Sequence, residues 1–175
     1  MVRALAIVAV LAPALAHADP ATWVSNDEVF IETHSWWYWG AGLAIRRDLG
    51  HHVELGLEGQ AFRVDANADD DPRHGFALRA AVTLEAPAAR TTWSGIDWRL
   101  SPQIGAASML LVGLDRRSAT EVFAGVRASF RKVLDHEPSG RIGAAHAIGA
   151  HIAFRIARTD GELSGSFMIG YDWGL

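Results

Sequence analysis

The chain has 175 residues, 50% of them hydrophobic and 21% charged, with a formal net charge of −4 and no cysteine. An acidic balance with a single lysine, Lys132, excludes nucleic acid as a partner. Without cysteine there is no disulfide framework and no thiol chemistry, so packing and strand pairing must hold the fold.

Arg3 supplies a positive n-region, residues 4–12 an apolar h-region ended by Pro13, and Ala16-His17-Ala18 an A-x-A cleavage site. Residues 1–18 read as a secretory signal peptide. The apolar run is too short to span a bilayer, which takes about 20 residues. Residues 19–175 form one mature domain, with 19–25 as an exit segment. No later segment is apolar enough for a helical span, so any crossing is by strands.

From there the chain alternates at period two, the mark of β-strands. Residues 29–34 make a weak first strand with Val29, Ile31 and Thr33 as its apolar face. Trp37, Trp39, Ala41, Leu43 and Ile45 share a face of the next, which runs into turn chemistry at 47–50. Val53, Leu55, Leu57 and Ala61 then oppose Glu54, Gly56, Glu58 and Gln60. Residues 65–74 form an acidic, polar loop. Asp65, Asn67 and Asp69 match the start of a calcium loop, but Asp70 stands where Gly is needed and Phe76 where the bidentate Glu belongs, so the loop reads as solvated. Phe76, Leu78, Ala80, Val82 and Leu84 oppose Ala77, Arg79, Ala81, Thr83 and Glu85.

Residues 91–114 are ambiguous. Trp93, Trp98, Leu100, Ile104, Leu110 and Val112 are outward candidates, and Pro102 removes a ladder donor mid-way, so this is one long bulged strand or two short ones. Alternation returns with Val122, Ala124, Val126, Ala128 and Phe130 against Glu121, Phe123, Gly125, Arg127, Ser129 and Arg131. Residues 135–140 form a turn. Residues 142–156 place Ile142, Ile148, Ile152, Phe154 and Ile156 opposite Gly149, His151 and Arg155, and Asp160-Gly161 is a hairpin signal. Finally Phe167, Ile169, Tyr171, Trp173 and Leu175 alternate with Ser166, Met168, Gly170, Asp172 and Gly174.

The predicted fold is all-β: a single up-and-down antiparallel transmembrane β-barrel. A water-facing strand surface would carry Lys, Glu, Thr, Asn and Gln at most positions. Here the less apolar face is mostly Gly, Ala and Ser with sparse Glu and Arg, which suits a narrow closed lumen, while the apolar face suits lipid. Aromatic residues gather near strand ends, at 36–39, Trp93, Trp98, Phe130, Tyr171 and Trp173, as interfacial girdles do. Arg63 and His146 are the clearest interruptions of the apolar face. Single-chain bacterial barrels have even strand numbers, so eight strands fit, with 29–34 first and 91–114 counted once. Both chain ends then share the periplasmic side and the 65–74 loop faces outside.

Signal peptide, alternation and terminal strand together resemble the small Gram-negative outer-membrane β-barrel class, broadly the eight-stranded group related to the OmpA and OmpX membrane domains. The resemblance implies an outer-membrane location and a monomer set among lipid and lipopolysaccharide. It also implies a terminal strand, Phe167, Ile169, Tyr171, Trp173 and Leu175, that the barrel assembly machinery reads. The class usually ends in an aromatic residue; Leu175 departs from that.

The candidate functional set is the inward charges: Glu54, Glu58, Glu85, Glu121 and Asp172 against Arg79, Arg127, Arg131 and Arg155. Charges in a narrow lumen must pair, so these predict a salt-bridged plug. His51-His52, His146 and His151 make no convincing metal site, and neither His136 with Ser139 nor His34 with Ser35 has an orienting acid. No cofactor, metal or enzymatic activity is expected. The predicted role is structural or surface-interacting. The alternatives are a narrow channel for small solutes, a soluble periplasmic lipid-binding barrel of lipocalin type and, last, a lipid-modifying enzyme.

Overall fold

The computed structural model describes residues 22–34, 36–49, 53–66, 74–113, 118–133, 147–159 and 161–174. The signal peptide and its cleavage site, Ser35, His51, His52, Asp69 to Asp71, His136, Ser139, Ile142, His146 and Leu175 lie outside these residues. The strands are β1 Thr22–Thr33, β2 Trp36–Asp48, β3 Glu54–Ala66, β4 His74–Glu85, β5 Ala89–Trp93, β6 Ile96–Val112, β7 Ser118–Val133, β8 Ala147–Thr159 and β9 Glu162–Gly174.

Every pairing is antiparallel, and β1 joins β9 while β4 joins β6, so the sheet closes on itself. Eight strands form the wall. β5 pairs only with β6 and stands outside the count. Following partners once around from Val133 passes Ala147, Gly174, Trp23, Arg46, Gly56, Thr83 and Gly105. The path returns to β7 at Phe123, ten residues from its start. Eight strands with a stagger of ten tilt by about 40° and enclose a radius of about 8 Å, just wide enough for side chains to fill.

Residues 91–114 are not one strand. Ser94 (φ 52°) and Gly95 (φ 75°) form a two-residue turn between β5 and β6, and two consecutive positive-φ residues match the right-handed twist of a hairpin. Pro87 separates β4 from β5. The amides of Ala86 and Ala88 donate to Pro102 O and Leu100 O (3.3 and 2.9 Å), so β4 and β5 run consecutively along β6. Residues 96–102 of β6 lie beyond the last β4 partner, Gln103 opposite Glu85, and with β5 form an arm at the end of the barrel that bears Thr22 and Gly174.

In that arm Asp97 accepts from Arg90 Nε (2.8 Å) and Arg99 Nε (2.7 Å). Partial burial pushes the Asp97 carboxyl up, and the two guanidinium hydrogen bonds outweigh it, holding it below its ordinary value. A depressed carboxylate stabilises above its unfolded value and stops doing so as pH falls through the folded one. The protection factor of the β5 amides, the observed exchange rate against the intrinsic rate at the same pH, is therefore expected to fall below about pH 4. In Asp97→Asn it is expected to be reduced at all pH, with an effect below about 1 kcal/mol because the pairs are solvent-screened.

The first strand also differs from the sequence reading. It begins at Thr22, so residues 22–25 are strand and not exit segment. Its apolar face points inward: Val29 lies opposite Gly40 and Met168, and Ile31 opposite Tyr38 and Ser166, all on the lumen side. The outward face of β1 carries Asn26, Glu28 and Glu32, all exposed, which interrupt the apolar exterior alongside Arg63. The reason lies in the lumen. In the half away from the chain ends Val29, Ile31, Tyr38, Phe62, Val64, Ala77, Met109, Leu111 and Ala119 pack together as an apolar layer. That layer takes the apolar face of β1.

Elsewhere the exterior is mostly apolar, with exposed Lys132 and Arg158 towards the strand ends. Leu43, Leu78, Ile104, Val122, Phe154, Ile156 and Ile169 are all exposed. Aromatic clusters mark its borders: Phe30 stacks edge-on against Trp37 (5.6 Å) and Trp39 (5.3 Å) near one rim, and Trp98 against Phe130 (4.4 Å) near the other. Trp36, in contrast, is half-buried against the apolar layer, and Trp93 projects from the arm.

Candidate functional site: the buried charge network

Alternation sends every second side chain of the wall inward, and below the apolar layer these are charged. Glu54, Glu58, Arg79, Glu85, Glu121, Arg127, Arg131, Arg155 and Asp172 are all buried. Arg46 and Asp27, which the alternation reading missed, are buried among them.

The groups alternate in sign along one connected path. Asp97 pairs with Arg99 (2.7 Å), Arg99 with Glu54 (3.0 Å) and Glu54 with Arg131 (2.7 Å). Arg131 is 3.9 Å from Asp172, whose two oxygens each accept from Arg127 Nη2 (2.8 Å each). Arg127 reaches Glu85 (3.5 Å), Glu85 accepts from Arg46 (3.1 Å), and Arg46 approaches Glu58 (3.7 Å). Glu58 is the hub: Arg155 grips it with two nitrogens (2.7 and 2.5 Å), Thr83 donates to it (3.1 Å), and Arg79 lies 3.6 Å away. Arg79 ends the path on Glu121 (2.7 Å). Phe123 separates two of the cations, with Arg155 4.5 Å and Arg79 5.1 Å from its ring centre.

Paired this way, each charge meets its opposite in a low-dielectric interior, where an unpaired one costs several kcal/mol. Arg forks suit the task because they never lose their charge and bind carboxylates bidentately. Neutral side chains fill some of the remaining valences, while Arg46 Nη2, Arg127 Nε and Arg131 Nε keep ion-pair contacts without an aligned hydrogen bond. Gln103 donates to Glu85 (2.7 Å) and accepts from Arg155 (3.0 Å), and Gln60 accepts from Arg79 (2.7 Å). Ser25 accepts from Arg46.

Lumen-facing glycines make the space. Gly125 is the register partner of Arg155, Gly149 of Arg131, Gly42 of Gln60 and Gly105 of Phe123. A Cβ on any of these would meet its partner's side chain at 3.2 Å or less. Large residues thus lie flat across a bare neighbour, which lets so narrow a barrel hold so many long side chains.

Asp65 accepts from Arg63 Nε and contacts His74 (2.7 Å) at the rim away from the chain ends, while the rest of its acidic loop is outside the described residues. Sequence reasoning missed Arg46 because it adjoins the 47–50 turn, Asp27 because it was next to the supposed exit segment, and Arg99 because it falls in the ambiguous 91–114 stretch. Parity with Ala44 is the signal that finds Arg46; Asp27 shares parity with Val29, whose inward direction only the structure gives.

The closed wall of eight antiparallel strands, its apolar exterior and its side-chain-filled interior define the fold of the small outer-membrane β-barrels related to the OmpA and OmpX membrane domains. Among solved structures, the crystal structure of Neisserial surface protein A (NspA) is similar with a TM-score of 0.54 at 10% identity, covering 89% of this chain and 97% of that one. The attachment invasion locus protein Ail of Yersinia pestis aligns with a TM-score of 0.43 at 12% identity over 87% and 95% of the two chains. No protein-family model and no curated protein matches the sequence.

Proposed function

We propose that the chain is an outer-membrane barrel whose lumen is plugged by its own side chains and whose role is structural or exercised at its surface. The observation that carries this is the interior itself: an apolar layer over a connected ion-pair network, with Arg46, Arg127, Met168 and His151 among its fully buried groups. A solute path would have to break several charge pairs at once. The exterior supports the location, because exposed Leu, Ile, Val and Phe cover far more surface than the few hundred Å² of apolar patch usual on soluble proteins. That weighs against a soluble lipid-binding barrel, as does a lumen filled with charge. Arg63 and Arg158, outward near the rim away from the chain ends, suit contact with lipopolysaccharide phosphates. The barrel acts as a monomer.

Refolded in detergent, the mature chain is expected to migrate differently on SDS gels before and after boiling, and to give no stable conductance steps in a planar bilayer. Single-size steps would overturn the plug and favour the narrow channel. Identical mobility together with solubility in plain buffer would overturn the membrane barrel.

The outward residues of β9, Phe167, Ile169, Tyr171 and Trp173, with Leu175, are the proposed recognition strand for the barrel assembly machinery. Replacing Tyr171 and Trp173 by Ser is expected to lower the amount of barrel in the outer membrane about tenfold while refolding in detergent micelles falls far less. Equal losses in both settings would show that these side chains act through stability alone.

A further inference from the structure

Among the described residues, the buried charges of the lumen do not balance by carboxylates and guanidiniums alone. Six carboxylates, on Asp27, Glu54, Glu58, Glu85, Glu121 and Asp172, face five guanidiniums, on Arg46, Arg79, Arg127, Arg131 and Arg155. The half-buried pair Asp97 and Arg99 adds one of each and leaves the difference unchanged. One negative charge is over, in an interior where an unpaired charge is strongly unfavourable.

Among the described residues His151 is the one buried histidine there. Its Nε2 lies 3.1 Å from Asp27 Oδ1 and its Nδ1 3.1 Å from Asp172 Oδ1. Carboxylate oxygens only accept, and a neutral imidazole has one N–H. The contacts are close but not aligned as hydrogen bonds, so both ring nitrogens and both Asp27 oxygens lie buried without a hydrogen-bond partner. A neutral ring brings no charge to offset the two carboxylates, whereas a ring protonated on both nitrogens places a positive charge between them. The backbone is shaped around this bridge: Gly170 is the register partner of both Asp27 and His151, and a Cβ there would lie 2.7 Å from Asp27 Oδ1 and 2.7 Å from His151 Cε1.

We propose that the lumen binds a proton at His151. The imidazolium is the sixth buried cation and clips β8 to β1 and β9, across the seam where the first and last strands close the barrel. The other charged groups facing the site are Arg46 from β2, 3.9 Å from Asp27, and Arg127 and Arg131 from β7, 2.8 and 3.9 Å from Asp172. On β8 itself Arg155 is held by Glu58. The cations around His151 are thus already engaged with carboxylates. The inference rests on a closed lumen but not on what the barrel does at the cell surface.

Nitrogen-15 spectra at pH 7.5 test the proposal directly, first on the refolded wild-type barrel, where no variant need fold, and then on Asp27→Asn for assignment. A free imidazole is mostly neutral at that pH. The expected result is one histidine ring with both nitrogens protonated, and its resonance moves in Asp27→Asn. A complete absence of such a ring overturns the proposal, as does one that Asp27→Asn leaves unmoved. Charge compensation is the second readout. His151→Gln is expected to lose the unboiled, compact gel form at a lower temperature than wild type, and His151→Gln with Asp27→Asn to regain most of that loss, since the double variant restores neutrality. A double variant no better than His151→Gln would show that shape, not charge, is what the ring supplies. Failure of conductance or gel-shift tests on wild type would instead strike the plugged-barrel reading, so the two are separable.

Discussion

Glu58→Ala is expected to destabilise the refolded barrel by about 3–5 kcal/mol, the usual result of removing one partner of a buried ion pair. Arg155 places two nitrogens on Glu58, and Arg46 and Arg79 approach within 3.7 and 3.6 Å. Truncation leaves three guanidiniums facing a cavity, with only Gln103 still accepting from Arg155 Nε. Glu58→Gln keeps the shape and loses the charge, so it is expected to recover little. Replacing Glu58 and Arg155 together by Leu is expected to recover most of the loss, because the pair borders the Phe123 ring and well-packed apolar side chains often match a buried pair in stability. Denaturant unfolding in detergent micelles, followed by tryptophan fluorescence, measures each variant. A loss below about 1 kcal/mol for Glu58→Ala would mean that the network is loosely coupled.

Gly125→Val is expected to abolish the compact, heat-modifiable form altogether. A Cβ at residue 125 would stand 2.2 Å from the Phe154 carbonyl oxygen and 2.8 Å from Arg155 Cγ. The first contact is with backbone of β8, so the clash cannot be relieved by a rotamer. The second drives Arg155 off Glu58. Overpacking alone costs about 1–3 kcal/mol, and the broken pair adds to it. Gly165→Ala is the control: it faces outward with nothing within 4 Å and is expected to leave the barrel intact. If Gly125→Val and Gly165→Ala refold equally, the lumen is not packed as tightly as the distances imply.

Much of the architecture is written in the alternation. Period two sorts residues into two faces without any knowledge of the fold, because successive side chains in an extended chain must point opposite ways. In β3, β4, β7, β8 and β9 one face is small or charged and the other large and apolar, so the inside is legible from composition. In β1 it is not. Val29 and Ile31 stand on one face and Asn26, Glu28 and Glu32 on the other, and a lipid-facing rule chooses the wrong one. The break between β5 and β6 was hidden for a different reason. Ser94-Gly95 is a turn only because both residues take positive φ, and Pro102 looked like the stronger interruption.

The sequence by itself determined the strand-built, barrel-type architecture, its eight-fold count and the two faces of most strands, since these follow from local side-chain direction and chain length. Only the tertiary structure decided which charges meet. Glu58 and Arg155 are 97 residues apart, and they touch because a stagger of ten residues around eight strands brings β3 and β8 across the lumen at the same height. It also decided that the apolar face of β1 turns inward and that His151 lies between Asp27 and Asp172. Register and closure are properties of the whole sheet, and no single strand carries them.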